Sequence, residues 1–471
     1  MTEPALRPLA EWIAALDAAL PPAPWGEAVD RALASSALDF GGALLAGTAH
    51  PLHPVYLAAF AAGAAPGAGP CAVAGDARGW GPVEAGAANA AISHFWEFDD
   101  SHRAAMMHPG ITVLPAVLAL AQARPGVTAG DMRAAVIAGY EAGLRMGAHL
   151  GKAHSATNHT TATAGTFGAA AAAARLLRLD AAQTLSTLGH AGTQAAGLWQ
   201  FLDDGATDAK AFHPATAVRN GVSAALLAEA GIPGAARVLE GQRGMLAAWK
   251  IEAEASAGLV PGGAPMILTT TIKGWPVCGQ MHSLLDATAD LARASGLRVE
   301  EIATVRVEAP QALLDIAGIR HPANLAEAKF STAFCVALLL SGGDLSFTGF
   351  DGRAVGDRAV QALADRVEVL APPDFSARYP RERPARITVA TQDGRVLVEE
   401  RSFRRGDPEA PWPWDALVER FHGIAAPALP DAGAREAVIA WCRAFGEGDP
   451  DLDRRAGALF RPPAQSLENA A

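Results

Sequence analysis

Tyrosine, cysteine and charge are all scarce in this chain. Its 471 residues include 3 Tyr and 4 Cys, aromatics make up 6%, and charged residues 18%. Each shortage excludes something. Cys71, Cys278, Cys335 and Cys442 are far apart, with no C-x-x-C pair, so neither a disulfide framework nor a zinc framework is encoded. Reduced thiols of a cytoplasmic protein are expected. Basic charge is also short. The formal net charge of −11 argues against a protein that tracks nucleic-acid phosphates or an anionic membrane surface. No apolar run is long enough to cross a membrane; the stretch beginning at Ile111 is short and carries Pro115. The first twenty residues hold acids and a Trp where a signal peptide has a basic end, and read as an amphipathic helix.

What is present is apolar and small. Half the residues are hydrophobic, so the chain is not mainly disordered. Up to about residue 255 the text is helical, with Ala- and Leu-rich segments separated by Gly and Pro. Thr128 and Asp180 sit where helices should start. Small residues recur at helical spacing, which lets helix backbones approach closely. From about residue 257 the character changes. A Gly/Pro/Thr-rich linker is expected to lead into a strand before Cys278. A β-like run follows at Ile302, then one helix across Ala326–Gly343, then a hairpin around Asp393-Gly394. After about residue 408 helices return, ending in an expected frayed tail. The pattern is mainly α: a large all-helical domain from both chain ends (1–267 and 408–471), with a smaller α+β domain (268–407) inserted between them.

Polar groups within apolar helical text are the informative ones, because burial without a partner is costly. Five clusters qualify. Glu97-Phe98-Asp99-Asp100-Ser101-His102 leads to His108-Pro109-Gly110. His159 follows His154 and precedes Gly165-Thr166-Phe167-Gly168. Lys210 and His213 precede a further helix. Lys273-Gly274-Trp275-Pro276-Val277-Cys278 continues to His282. Glu327-Ala328-Lys329-Phe330-Ser331 reads as a helix surface with one buried ring. Plainer roles compete with functional ones: loop and capping residues for the first two, a solvated lysine for the third, a small buried thiol for the fourth. No H-E-x-x-H pair, phosphate loop, dinucleotide fingerprint or G-x-S-x-G elbow occurs.

In order and spacing these clusters resemble the MmgE/PrpD family, which includes 2-methylcitrate dehydratase, cis-aconitate decarboxylase and iminodisuccinate epimerase. Gly139-Tyr140-Glu141 with Arg145, and Leu239-Glu240-Gly241, extend the match over nearly the whole chain. The resemblance implies a helical domain with an α+β lid, a cleft between them holding the active site, a homodimer, a small polycarboxylate substrate, and no metal or other cofactor. It places His108, His159 and Lys210 on active-site positions, with Glu97 and Ser101 on the acid-and-hydroxyl loop and Lys273 as the lid lysine. His102, His213 and His282 are further candidates for substrate contact. Two departures stand out. Cys278 occupies the position where the dehydratase and decarboxylase carry a lid histidine, with His282 further on. Glu97 replaces an Asp, and one extra residue precedes His108.

Such a site would remove a proton, or carbon dioxide, next to a carboxylate. It needs a positioned base, an acid for the leaving group and cations for the carboxylates. The expected activity is a cofactor-free lyase, dehydrating a 2-methylcitrate-like acid. The alternatives are a dicarboxylate epimerase using Cys278, a decarboxylase, and a non-catalytic binding homologue.

Overall fold

A computed structural model describes residues 3–17, 26–252, 258–347, 349–350 and 352–460. The C-terminal tail lies outside this range. The chain forms two compact units. One comprises residues 1–270 and 414–471, the other 271–413. Composition draws the junctions at 267/268 and 407/408, and packing moves both. The turn Met266–Thr269 stays with the helical unit, because the Met266 N–H donates to Glu141 (2.7 Å). Residues 404–412 stay with the insertion. Arg404 pairs with Asp407, and the Trp412 indole donates to the Ile272 carbonyl (3.1 Å).

The helical unit contains α1 (Arg7–Ala15), α2 (Gly26–Thr48), α3 (Leu52–Ala64), α4 (Pro82–His94), α5 (Gly110–Ala123), α6 (Ala129–Ser155), α7 (Thr160–Leu176), α8 (Ala181–Gln194) and α9 (Phe212–Glu229). The amphipathic start is borne out in α1, which buries Leu9, Ala10 and Ile13. Helix α7 is buried from end to end, and α5, α6, α8 and α9 pack around it. Its small residues allow this: a Cβ built on Gly168 would sit 3.1 Å from the Gly139 carbonyl of α6. Thr128 and Asp180 cap α6 and α8, each in a reciprocal capping box. Helix α6 breaks at Gly151, whose φ of 70° is left-handed. Among the described residues no single helix is long and apolar enough to cross a membrane.

The unit is not all helical. β1 (Cys71–Val73) and β2 (Asp76–Trp80) form an antiparallel hairpin. Gly75, at φ 79°, makes its turn, and Asn89 of α4 bonds Ala72 and Ala74. Alternation over so few residues is too short to separate from loop.

The inserted unit is α+β. Helix α10 (His282–Ser295) precedes β3 (Ile302–Glu308). Helix α11 (Thr332–Leu340) precedes β4 (Val367–Leu370), β5 (Ala385–Thr391) and β6 (Val396–Arg401). The sheet order is β4-β3-β5-β6, with β4 parallel to β3 and the other pairs antiparallel. Strand β5 alternates buried and half-buried, as its sequence implies, and Gly394 closes the hairpin at φ 87°. Two expectations are corrected. The linker before Cys278 contains a 3₁₀ turn and no strand. The helix expected across Ala326–Gly343 is two helices, because Ser331 turns extended and caps α11 through the Phe334 N–H. That break buries Lys329 and leaves Phe330 half-buried, the reverse of the expected helix surface. The chain then returns to the first unit as α12 (Trp414–Ala425) and α13 (Ala432–Glu447).

Candidate active site

Helix α4 ends at His94, and the chain then loops to Pro109 before α5. In this loop Asp99 is the pivot. Its Oδ1 accepts from His94 Nδ1 at 2.8 Å, and its Oδ2 lies 2.8 Å from His108 Nδ1. His108 Nδ1 also donates to the Asp100 carbonyl (2.8 Å). A carbonyl only accepts, so His108 carries its proton on Nδ1, and Nε2 is the basic nitrogen of the neutral ring. Burial alone would raise Asp99, but the His94 and His108 imidazoles outweigh it and hold the carboxyl well below its usual range. Asp99 is therefore an anion, and it fixes both imidazole tautomers.

Asp100 behaves oppositely. Burial, with Asp39 nearby, pushes it well above the usual carboxylate range. It accepts from the Gly110 N–H (2.8 Å) and meets the Tyr140 hydroxyl (2.8 Å). Those contacts pin the start of α5 to α6. Behind them Arg420 of α12 pairs with Asp39 (2.9 Å), donates to the Phe98 carbonyl (3.1 Å) and covers the Phe98 ring at 4.1 Å. The C-terminal return thus braces the acidic loop.

The remaining groups arrive from other elements. His159 precedes α7 and is buried; its Nδ1 lies 3.0 Å from Nδ1 of His213, on α9. Two nitrogens at that distance share one proton, so one ring donates and the other accepts. Burial, then Lys210, lowers His159 well below its normal value. Burial, then His94 and Lys210, lowers His213 to about 4. The Trp199 ring packs on His159 at 4.4 Å. Lys210 is buried in a short 3₁₀ turn and forms an ion pair with Glu97. Glu97 has φ of 60°, a conformation costly for a residue with a Cβ. The loop and α7 meet where the His108 N–H donates to the Thr161 hydroxyl (3.1 Å).

The structure thus gathers His108, His159, His213, Lys210 and Glu97 of the expected set. Ser101 sits in the same loop with its hydroxyl buried and unpartnered among the described residues. His102 pins that loop: its Nδ1 accepts from the Ala105 N–H (3.0 Å) and its Nε2 contacts the Thr269 hydroxyl (2.9 Å). Lys273, Cys278 and His282 belong to the inserted unit. Lys273 is buried and Cys278 half-buried. His282 is fully buried, donates to the Val277 carbonyl (3.1 Å), and is pushed far down by burial, then by Arg404 and Lys273. Of the two replacements considered for the lid histidine, Cys278 is the more accessible.

Sequence reasoning passed over His94 and kept Asp99 only as a member of the first cluster, with no role of its own. The available signal was a histidine closing an otherwise apolar helix, five residues before an acid. One ring nitrogen each from His94, His108 and His159 lie within 4.8 Å of one another, so these three could hold a divalent ion. This trio comes from separate elements, which no sequence spacing reveals.

Comparison with known proteins agrees with this layout. Residues 7–256 match the MmgE/PrpD N-terminal domain, and residues 275–444 match the MmgE/PrpD C-terminal domain. The chain belongs to the MmgE/PrpD family. It is also similar to the cis-aconitate decarboxylase-like protein oryM of Aspergillus oryzae, at 28% identity over 390 residues, covering 76% of this chain and 78% of the relative.

Proposed function

We propose that the protein is a cofactor-independent lyase that removes a proton next to a carboxylate of a small di- or tricarboxylic acid, with dehydration of a 2-methylcitrate-like hydroxy acid as the leading reaction. The observation that carries this reading is the imidazole cluster around one ionised carboxylate: Asp99 holding His94 and His108, with His159 sharing a proton with His213. Family membership and the decarboxylase-like relative support a lyase-type enzyme.

In the proposed step, a C–H bond breaks and its proton passes to an imidazole nitrogen. His108 Nε2 is suited to this, because Asp99 and the Asp100 carbonyl hold the Nδ1–H and stabilise the imidazolium that forms. The C–O bond then breaks as the leaving hydroxyl takes up the proton that His108 removed, with the neutral His159–His213 pair orienting that hydroxyl; water and an unsaturated acid leave, and His108 returns to its neutral form. Lys210, which pairs with Glu97, and Lys273 are assigned to substrate carboxylates as point charges. Burial strengthens each interaction. Dispersed thiols that form no disulfide support a cytoplasmic setting.

A second reading, epimerisation of a dicarboxylate such as iminodisuccinate, is favoured by the accessibility of Cys278, which would serve as a second acid/base. Decarboxylation is supported by the name of the fungal relative.

The test is turnover of 2-methylcitrate, citrate, cis-aconitate and iminodisuccinate by wild type and by His159→Ala and His108→Gln. Each substitution should lower kcat by about 10²–10⁴-fold, the usual worth of general acid–base catalysis. Full activity of His159→Ala on the turned-over substrate would defeat the assignment.

A further inference from the structure

The loop carrying Cys278 is flanked by two buried arginines, both within the inserted unit. Arg404 contacts its first neighbour: NH1 donates to the Gly279 carbonyl at 3.4 Å, and a Cβ on Gly279 would meet the same nitrogen at 3.3 Å. Arg383 contacts the next residue, donating from NH1 to the Gln280 side chain. Gln280 in turn donates to the Tyr379 hydroxyl (3.2 Å), and the Tyr379 ring lies under the Arg383 guanidinium at 5.5 Å. The Cys278 N–H donates to the Lys329 carbonyl (3.0 Å), which fixes the loop.

The two arginines are not equivalent. Arg404 is compensated: Asp407 accepts from both its Nε and NH2. Arg383 is nine-tenths buried, yet no carboxylate pairs with it among the described residues, and its Nε has no hydrogen-bond partner. Burial lowers its pKa to about 10, with Arg404 adding to the effect; Tyr379, Asp407 and Cys278 pull the other way. A buried, uncompensated guanidinium is costly. Proteins keep such groups where a planar, bidentate partner arrives from outside, and carboxylate is the match for that fork.

We propose that Arg383, oriented by Gln280 and Tyr379 beside Cys278, is a carboxylate-binding residue, so that the inserted unit holds its own anion subsite next to its one accessible thiol. This deepens the lyase reading by assigning a specificity residue, and rests on it only for the identity of the anion.

Cys278 itself reports the subsite, since Cys71, Cys335 and Cys442 are buried. The experiment compares alkylation of Cys278 by anionic iodoacetate and neutral iodoacetamide in the full-length protein, mapped by mass spectrometry. A cationic pocket concentrates an anion by about tenfold or more. The iodoacetate-to-iodoacetamide rate ratio should therefore exceed that of a free thiol by on the order of tenfold in wild type. It should fall to the free-thiol value in Arg383→Gln and recover partly in Arg383→Lys, which keeps charge but loses the fork. A wild-type ratio equal to that of a free thiol, or an elevated ratio unchanged in Arg383→Gln, overturns the proposal. If Arg383→Gln does not fold, protection of wild type decides. Succinate and citrate should slow iodoacetamide saturably, and more than phosphate at matched ionic strength. No protection, or stronger protection by phosphate, overturns it. Because alkylation needs no turnover, an intact anion subsite in a protein that converts none of the substrates would defeat the lyase reading and leave this one standing.

Discussion

His94, Asp99 and His108 place three titratable groups in contact, and their protonation follows from burial and neighbours. Asp99 stays ionised because two imidazoles face it; Asp100, one residue on, is pushed up because burial and Asp39 dominate. None of this is visible as spacing. The sequence shows the acids and histidines of the loop, but which acid is charged depends on α2, α4, α6 and α12 meeting around it. His154 gives a test at this scale. Burial lowers it to about 4, against 6.5 when unfolded, and its Nε2 contacts the Thr163 hydroxyl at 2.8 Å. Between those pH values only the unfolded chain binds the proton, so stability falls as pH falls. The melting-temperature advantage of wild type over His154→Gln should therefore shrink from pH 7 to pH 5. An advantage that grows on acidification would contradict this.

At the scale of elements, the helices position the site through close contacts between small residues. Helix α2 meets α4 so tightly that a Cβ on Gly47 would lie 2.0 Å from the Ile92 carbonyl, two residues before His94. Gly47→Ala should separate the helices, cost about 1–3 kcal/mol in urea unfolding, and lower kcat by moving His94. Thr128→Ala removes the α6 cap and should cost about 1 kcal/mol while leaving kcat unchanged. Equal kinetic effects of the two would show that His94 is not positioned by this packing. The caps of α6 and α8, strand β3 and the β5–β6 hairpin were legible because capping and turn chemistry are local. Strand β4 was not: its pairing parallel to β3 is made across a long crossover. The short β1–β2 hairpin and the break at Ser331 were hidden by Ala-rich or apolar surroundings.

For the whole molecule, the return of the C-terminal helices to the first unit has a functional consequence, because Arg420 braces the acidic loop through Asp39 and Phe98. The return was readable from composition. The brace was not, since Asp39 and Arg420 are remote in sequence and no local pattern links them. Burial raises Asp39 to about 6 while Arg420 opposes the rise. A raised carboxyl favours folding at low pH and loses that advantage as pH rises through about 6. Removing the arginine ends that opposition and lets Asp39 rise further, so keeping it ionised in the folded state above about pH 6 becomes costly. Arg420→Gln should therefore destabilise strongly at pH 8, by up to about 3–5 kcal/mol, and much less at pH 5. Equal losses at both pH values would mean that the pair is not what holds the loop.

The central claim is that this family member moves a proton next to a carboxylate with its own side chains. Proton NMR of the chelator-treated protein in deuterated water, with 2-methylcitrate, citrate, cis-aconitate and iminodisuccinate, tests it most directly. The account predicts a vinylic product from a hydroxy acid, with activity unaffected by chelation. Deuterium entering a substrate carbon without elimination would move the assignment to epimerisation and to Cys278. Activity lost on chelation and restored by a divalent ion would contradict the account and make the three imidazoles ligands.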